Sequence, residues 1–223
     1  MSEPSETRAV AVLVSGGSDS AILCVDLLRS YRRAFPLYVR SGLRWEEVEL
    51  AHLRRFLGAA ERPGLAQLHV LEEPVADLYG EHWSTQGAVP GAETPDEAVY
   101  LPGRNVLLAA KAAVWCRLRG IETLAFGTLR GNPFPDSTPD FFHDLAAVLN
   151  RALGGRLEII RPFESMSKVE VLRRGAGLPL HETFSCLNPV GGRHCGRCNK
   201  CAERRRGFLA VGIPDRTLYA NSP

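Results

Sequence analysis

Two groups of residues have the types and spacings that chemistry needs. The first is Ser15-Gly16-Gly17-Ser18-Asp19-Ser20, directly after the apolar run Ala9 to Val14. Gly16 and Gly17 let the main chain take conformations closed to other residues. Their amides, with the free amides of a following helix, form a nest for an anion. Ser15, Ser18 and Ser20 add hydroxyl donors. Asp19 is out of place in a loop that only holds an anion; it fits one that also places Mg2+ or is organised by a carboxylate. The Walker pattern and the dinucleotide Gly-x-Gly-x-x-Gly are both absent here.

The second group is Cys186, Cys195, Cys198 and Cys201, spaced C-x8-C-x2-C-x2-C. Thiolates this close in sequence can surround one tetrahedral Zn2+. Three come from a compact knuckle, with Gly196 where a tight turn is needed, and Cys186 returns as the fourth. Four cysteines leave no open position, so the site is expected to be closed and structural. An iron–sulfur cluster also takes four cysteines and is the alternative. His194 is adjacent but surplus. Cys24 and Cys116 lie in apolar stretches and read as buried core thiols.

The elements that must position these groups alternate along the chain. Val10 to Val14 reads as a buried strand and Ser20 to Ser30 as a helix. Phe35 to Val39 is a strand, Arg44 to Leu57 an amphipathic helix, and Gln67 to Leu71 a third strand. Glu72 to Tyr100 is irregular and rich in Pro, Gly and acids; a loop of that length in a compact domain is usually functional or mobile. Arg104 to Arg119 is an apolar, buried helix, and Thr123 to Gly127 a fourth strand. Pro139 to Leu153 is a helix with Thr138 as N-cap. Leu157 to Ile160 is a fifth strand, and Ser167 to Ala176 a helix opened by a Ser167–Glu170 capping box. After His181 come the cysteines and a last helix, Ala202 to Val211. This pattern predicts a Rossmann-like, doubly wound parallel α/β sheet over residues 1–180, with its site at the carboxyl ends of the strands, and a small zinc-binding module over 181–223.

The 223 residues can bury a substantial core, and 45% hydrophobic with 23% charged content is ordinary for a soluble protein. A net charge of +2 points to neither nucleic acid nor an acidic partner. Arg193 to Arg206 is locally basic and reads as a solvated face beside the metal site. No apolar run approaches the roughly 18 residues of a membrane span. The first eight residues are polar and lack a signal-peptide core. The expected compartment is the cytoplasm, where reduced thiols favour metal binding over disulfides.

The hexapeptide Ser15–Ser20 resembles the PP-loop of the ATP pyrophosphatase superfamily. In that superfamily the loop binds the β and γ phosphates, a substrate oxygen attacks the α phosphorus, and the adenylated intermediate is captured by a nitrogen or sulfur nucleophile. Further pieces narrow the resemblance: Leu101-Pro102-Gly103-Arg104-Asn105, then Pro162 through Ser167-Lys168-Val169-Glu170, then Glu182-Thr183-Phe184-Ser185-Cys186 with the Cys195–Cys201 knuckle, Arg204 and Gly207-Phe208. With these, the chain from Ala9 to Tyr219 resembles the 7-cyano-7-deazaguanine synthase family of the queuosine pathway.

The resemblance implies an ATP- and Mg2+-dependent ligase, a homodimer, that adenylates the carboxylate of 7-carboxy-7-deazaguanine. Ammonia captures the adenylate as an amide, and a second ATP activates that amide for dehydration to a nitrile. Arg104 and Lys168 would neutralise phosphate charge beside Asp19, and Asn105 would meet the base or ribose. Helix capping and ion pairing are the alternative readings of Arg104 and Asn105. Lys168 stands in a first helical turn, where a cation is unfavourable unless an anion is there too. One stretch departs from the family. Where the family carries an Asp and a Ser-Gly-Tyr-Pro-Asp-Cys-Arg segment, this chain has a shorter run with Arg130, Phe134 in place of the tyrosine, Pro135-Asp136 kept, and Ser137-Thr138. Arg130, Phe134 and Asp136 are the substrate-side candidates, Phe134 as a stacking ring or equally a core residue. The departure leaves open a ligase that passes a 7-deazaguanine-type or other acid to a macromolecular amine. Transfer of sulfur to tRNA lacks a reactive loop cysteine, and nucleic-acid binding through the basic patch would leave the phosphate loop unexplained.

Overall fold

The computed structural model describes residues 8–221; apart from Arg8, the polar start of the chain lies outside them. Five strands form one parallel sheet: β1 (Ala9–Leu13), β2 (Arg33–Arg40), β3 (His69–Glu72), β4 (Thr123–Ala125) and β5 (Glu158–Ile160). Their order is β3-β2-β1-β4-β5, so the direction of winding reverses between β1 and β4. At such a reversal the helices leave on opposite faces and open a crevice beyond the strand ends.

The helices sort accordingly. α1 (Ser18–Asp26), α2 (Glu46–Ala59) and α6 (Lys168–Arg174) cover one face, with Val10, Val12, Leu23, Leu53, Phe56 and Leu172 in its core. α4 (Arg104–Arg117) and α5 (Pro139–Leu153) cover the other, around Ala11, Leu13, Leu37, Ala113, Trp115 and Phe142. Alternate residues of β1 enter alternate cores, as the period of two demands. The Thr138 cap on α5 and the Ser167–Glu170 capping box on α6 form as their sequences predict.

Several elements differ from expectation. α1 starts at Ser18, two residues early, and gives way to a 3-10 turn at Leu27–Arg29. β3 starts at His69, two residues late. Ala34 bridges Leu65 while Leu37 pairs with His69, so one extra residue is inserted opposite Phe35 and Pro36. Pro36 has no N–H for the ladder, and a bulge accommodates a proline inside an interior strand. α4 is buried on one face only; Val114 and Leu118 are exposed. The last helix, α7 (Asn199–Val211), begins inside the cysteine knuckle.

The stretch between β3 and α4 contains a short helix, α3 (Ala76–Tyr79), and is tied down. Trp83 stacks on Trp45 at 5.8 Å. Gly91 bridges Cys198, Asn199 N donates to Pro90 O at 3.0 Å, and Asn199 Nδ2 donates to Thr94 O at 2.7 Å. A third apolar cluster, with Trp45, Val75, Val99, Leu101, Phe184 and Leu187, joins this stretch to the cysteines. Among the described residues no helix is long and apolar enough to cross a membrane.

Candidate active site and metal centre

The sharp turn from β1 into α1 is made at Gly16, whose φ is +79°, a region side chains avoid. A Cβ there would stand 2.8 Å from Glu49 Cγ. Ser15 N donates to Ser20 Oγ at 3.1 Å, which fastens the loop to the first turn of α1. Phe184 N donates to Gly16 O at 2.7 Å and backs the loop from behind. The first-turn amides of α1 have no acceptor within their helix, and Ser15 stands exposed at the loop's mouth. Glu49, beneath Gly16, accepts from Tyr38 Oη at 2.7 Å. Burial pushes its carboxyl up to about 8 even against the Tyr38 hydrogen bond.

Asp19 is not an idle carboxylate. Ser18 Oγ donates to its Oδ1 at 3.2 Å, and Lys168 Nζ stands 2.8 Å from Oδ2. Lys168 is the first residue of α6, after the Ser167 cap. Its other partner is Glu203 of α7, at 3.2 Å, and Lys200 Nζ lies 2.6 Å from the second oxygen of the same carboxylate. Two carboxylates thus offset the cost of a lysine at a helix start. Burial disfavours the Lys168 charge, but Asp19 and Glu203 outweigh it and raise the pKa. Burial likewise opposes the Glu203 charge, yet the two lysines bring it down to about 2.

Two cavities meet here. One, of about 190 Å³, lies over the Ser15–Ser20 loop and reaches Ser15, Gly17, Trp45 and Arg204. The other, of about 390 Å³, runs along Tyr100, Arg130, Phe134 and Asp136 and falls in the range of small-molecule sites. Asp19, Arg104, Lys168, Lys200 and Glu203 line both. Arg104 opens α4, and its buried Nε has no hydrogen-bond partner.

The remaining sequence candidates fall in distinct places. Asn105 N donates to Asp136 Oδ2 at 3.0 Å and Asn105 Nδ2 to Asp136 O at 2.8 Å, so the two are committed to each other at the start of α4. Burial raises the Asp136 pKa, partly offset by the Asn105 amide. Phe134 packs face to face with Tyr100, ring centroids 5.2 Å apart. Arg130 lies on the cavity rim, donating to Ser165 O at 3.2 Å and 3.6 Å from Glu170. Sequence reasoning missed Glu49, Tyr100, Lys200 and Glu203. The basic run, read as a solvated face, gave no hint that Lys200 and Glu203 turn inward. Nor did it show Arg204 buried, bonded to Thr183, Thr217 and the Leu180 carbonyl.

The four module cysteines are buried, and their sulfur atoms all lie within 4.8 Å of one another. The Cys195–Cys201 and Cys186–Cys198 pairs are both 3.9 Å apart. Main-chain N–H groups of Leu187, Asn188, Cys195 and Arg197 point at these sulfurs and would stabilise thiolates. Gly196 turns the knuckle with φ +82°, and a Cβ on it would meet Asn221 O at 2.4 Å. The cluster could hold a metal ion. His194 is no part of it: the ring packs on Phe184 and His52, and Nε2 accepts from Ser185 N at 3.2 Å. Cys24 and Cys116 are core thiols, and burial pushes each up to about 12.

A glycine-rich loop at the switch point of a parallel sheet, met by a lysine from the helix that follows the last strand, defines an α/β protein of the PP-loop class. A solved structure described as a 4-thiouridine synthetase–RNA complex with bound ATP shares the fold, with a TM-score of 0.52 at 14% identity over 92% of this chain and 50% of that one. The chain belongs to the QueC family of queuosine biosynthesis proteins, whose model matches residues 8–212. It is 33% identical to the 7-cyano-7-deazaguanine synthase of Anaeromyxobacter dehalogenans, over 97% of each chain. It is 32% identical to the synthase of Methanothrix thermoacetophila, over 95% of this chain and 98% of that one.

Proposed function

We propose that this chain converts 7-carboxy-7-deazaguanine and ammonia to 7-cyano-7-deazaguanine with two ATP. The observation that carries the reading is the shared wall of the two cavities. A nucleotide whose phosphates lie on the loop brings its α phosphorus to Asp19, Arg104 and Lys168, facing the larger cavity where an acid would lie. Its carboxylate oxygen attacks the α phosphorus and pyrophosphate leaves toward the loop amides and the Ser15 hydroxyl. Ammonia attacks the acyl carbon and AMP leaves, giving the primary amide. The amide oxygen then attacks a second α phosphorus; loss of pyrophosphate, then of AMP and two protons from nitrogen, leaves the nitrile.

Ser15 to Ser20 hold the departing pyrophosphate. Lys168 and the unpartnered Nε of Arg104 meet charge building on phosphate oxygens, the type of preorganised contact that accelerates such steps. Asp19 aims Lys168, and its carboxylate would also hold Mg2+, which when bound offsets charge on the leaving pyrophosphate. Tyr100 and Phe134 offer aromatic walls to a flat heterocycle, with Asp136 and Arg130 near its polar edge and Asn105 fixing Asp136. The cysteines suit structural Zn2+. Thiolates about 2.3 Å from a tetrahedral ion stand about 3.8 Å apart; two sulfur pairs are 3.9 Å apart and all four sulfurs lie within 4.8 Å, whereas a multi-iron cluster would spread them further. The working form in this reading is a homodimer in the reducing cytoplasm, with residues 1–180 binding ATP and 181–223 built around the metal. Exposed Val114 on α4, Leu118 just past its end and Val148 on α5 support a dimer contact.

The test is incubation of metal-loaded protein with Mg2+, ATP and 7-carboxy-7-deazaguanine, with and without ammonium, following AMP and product mass. Two AMP per nitrile is the expected result. An adenylate that accumulates and ignores ammonium would overturn the proposed nucleophile, and no AMP would overturn the proposed acid.

A further inference from the structure

α7 leaves the cysteine knuckle and immediately presents Lys200 and Glu203 to the seam between the cavities. Their spacing is that of an ordinary helix-surface ion pair, which alone would be worth little. Three observations set this pair apart. Glu203 is shared: its two oxygens hold Lys200 at 2.6 Å and Lys168 at 3.2 Å, so the two ammonium groups are held side by side. Both side chains are about three-quarters buried, at 28% and 25% exposure, rather than extended into solvent. Both also line the loop cavity and the larger cavity together.

The charge balance gives the arrangement a purpose. Lining both cavities are Arg104, Lys168 and Lys200 against Asp19 and Glu203. Without Lys200 these shared cations and anions cancel, and the loop cavity is left with Arg204, whose guanidinium is already bonded to Thr183, Thr217 and the Leu180 carbonyl. Lys200 is what makes the seam positive. We infer that Lys200 is a second cation contacting the nucleotide phosphates, supplied by the cysteine module, and that Glu203 is the positioning residue that aims Lys200 and Lys168 together. The module is then part of the nucleotide site, joined to it through one turn of helix. This rests on the reading of the loop as an ATP site.

Equilibrium titration of the metal-loaded protein with ATP carrying a methylene between the α and β phosphorus tests this without turnover. Lys200→Met should weaken binding about tenfold, as expected for one charge-assisted hydrogen bond, with bound metal and circular dichroism unchanged. Lys200→Arg should restore most of the loss. Equal affinity of Lys200→Met and the parent chain would overturn the inference. Glu203→Gln removes an anion, so affinity should hold or rise while AMP formation at saturating ATP falls at least tenfold. Weaker binding with an unchanged saturated rate would overturn the positioning role. A parent chain that binds the analogue but makes no nitrile would fail the proposed reaction and leave this inference standing.

Discussion

Glu49 holds a proton that an exposed glutamate would have lost. Its carboxyl lies under Gly16, and burial carries it to about 8. Between the ordinary carboxylate range and pH 8 the native protein keeps the proton and the unfolded chain has released it. Stability should therefore fall as pH rises through that window, by at most about 1.4 kcal/mol per pH unit, and level off above it. Glu49→Gln, which imitates the neutral acid, should flatten this part of the curve; urea denaturation across the window reads it. An unchanged slope would mean that Glu49 is ionised in the native state. Asp19 and Lys168 were legible in the sequence because each is locally anomalous, an acid in an anion loop and a cation at a helix start. Glu49, Lys200 and Glu203 were not, because their meaning depends on partners distant in the chain, and an acid in an amphipathic helix or a basic run looks solvated by default.

α6 is a seven-residue helix whose first residue is Lys168, so its start and the aim of that side chain are set together. Ser167 Oγ accepts from Glu170 N at 3.3 Å while Glu170 accepts from Ser167 N at 2.7 Å. Ser167→Ala should cost about 1 kcal/mol of stability, read by denaturation, and raise the KM for ATP several-fold. Stability loss with an unmoved KM would show that Lys168 is held by Asp19 and Glu203 alone. Capping chemistry is local, which is why α5 and α6 could be bounded closely from sequence. β3 could not: its late start answers Pro36 on a neighbouring strand. α7 could not either, because its first turn is wound through the knuckle, where cysteine spacing masks helical periodicity. Rossmann-like winding was readable from the alternation of elements, and the crevice position follows from strand order.

The third apolar cluster makes the stretch before α4 and the cysteine module one body. Chelating a metal held by the four cysteines should therefore act on both. Thiol titration of native metal-loaded protein should find none of the six cysteines reactive. After chelation Cys186, Cys195, Cys198 and Cys201 should react while Cys24 and Cys116 stay protected. Limited proteolysis should then cut within residues 80–98 and spare β1 and α1; cutting there before chelation would show that the stretch stands without the module. The hydrogen bond from Phe184 N to Gly16 O has a consequence for synthesis. The loop is translated well before the parts that fasten it: Lys168 follows Asp19 by 149 residues, and Phe184 comes later still. A nascent or prematurely terminated chain carries the glycines without the parts that fasten them. A chain ended before β5 should therefore bind ATP far more weakly than one that reaches α7, so that ATP use would begin only once Lys168 and Phe184 are in place.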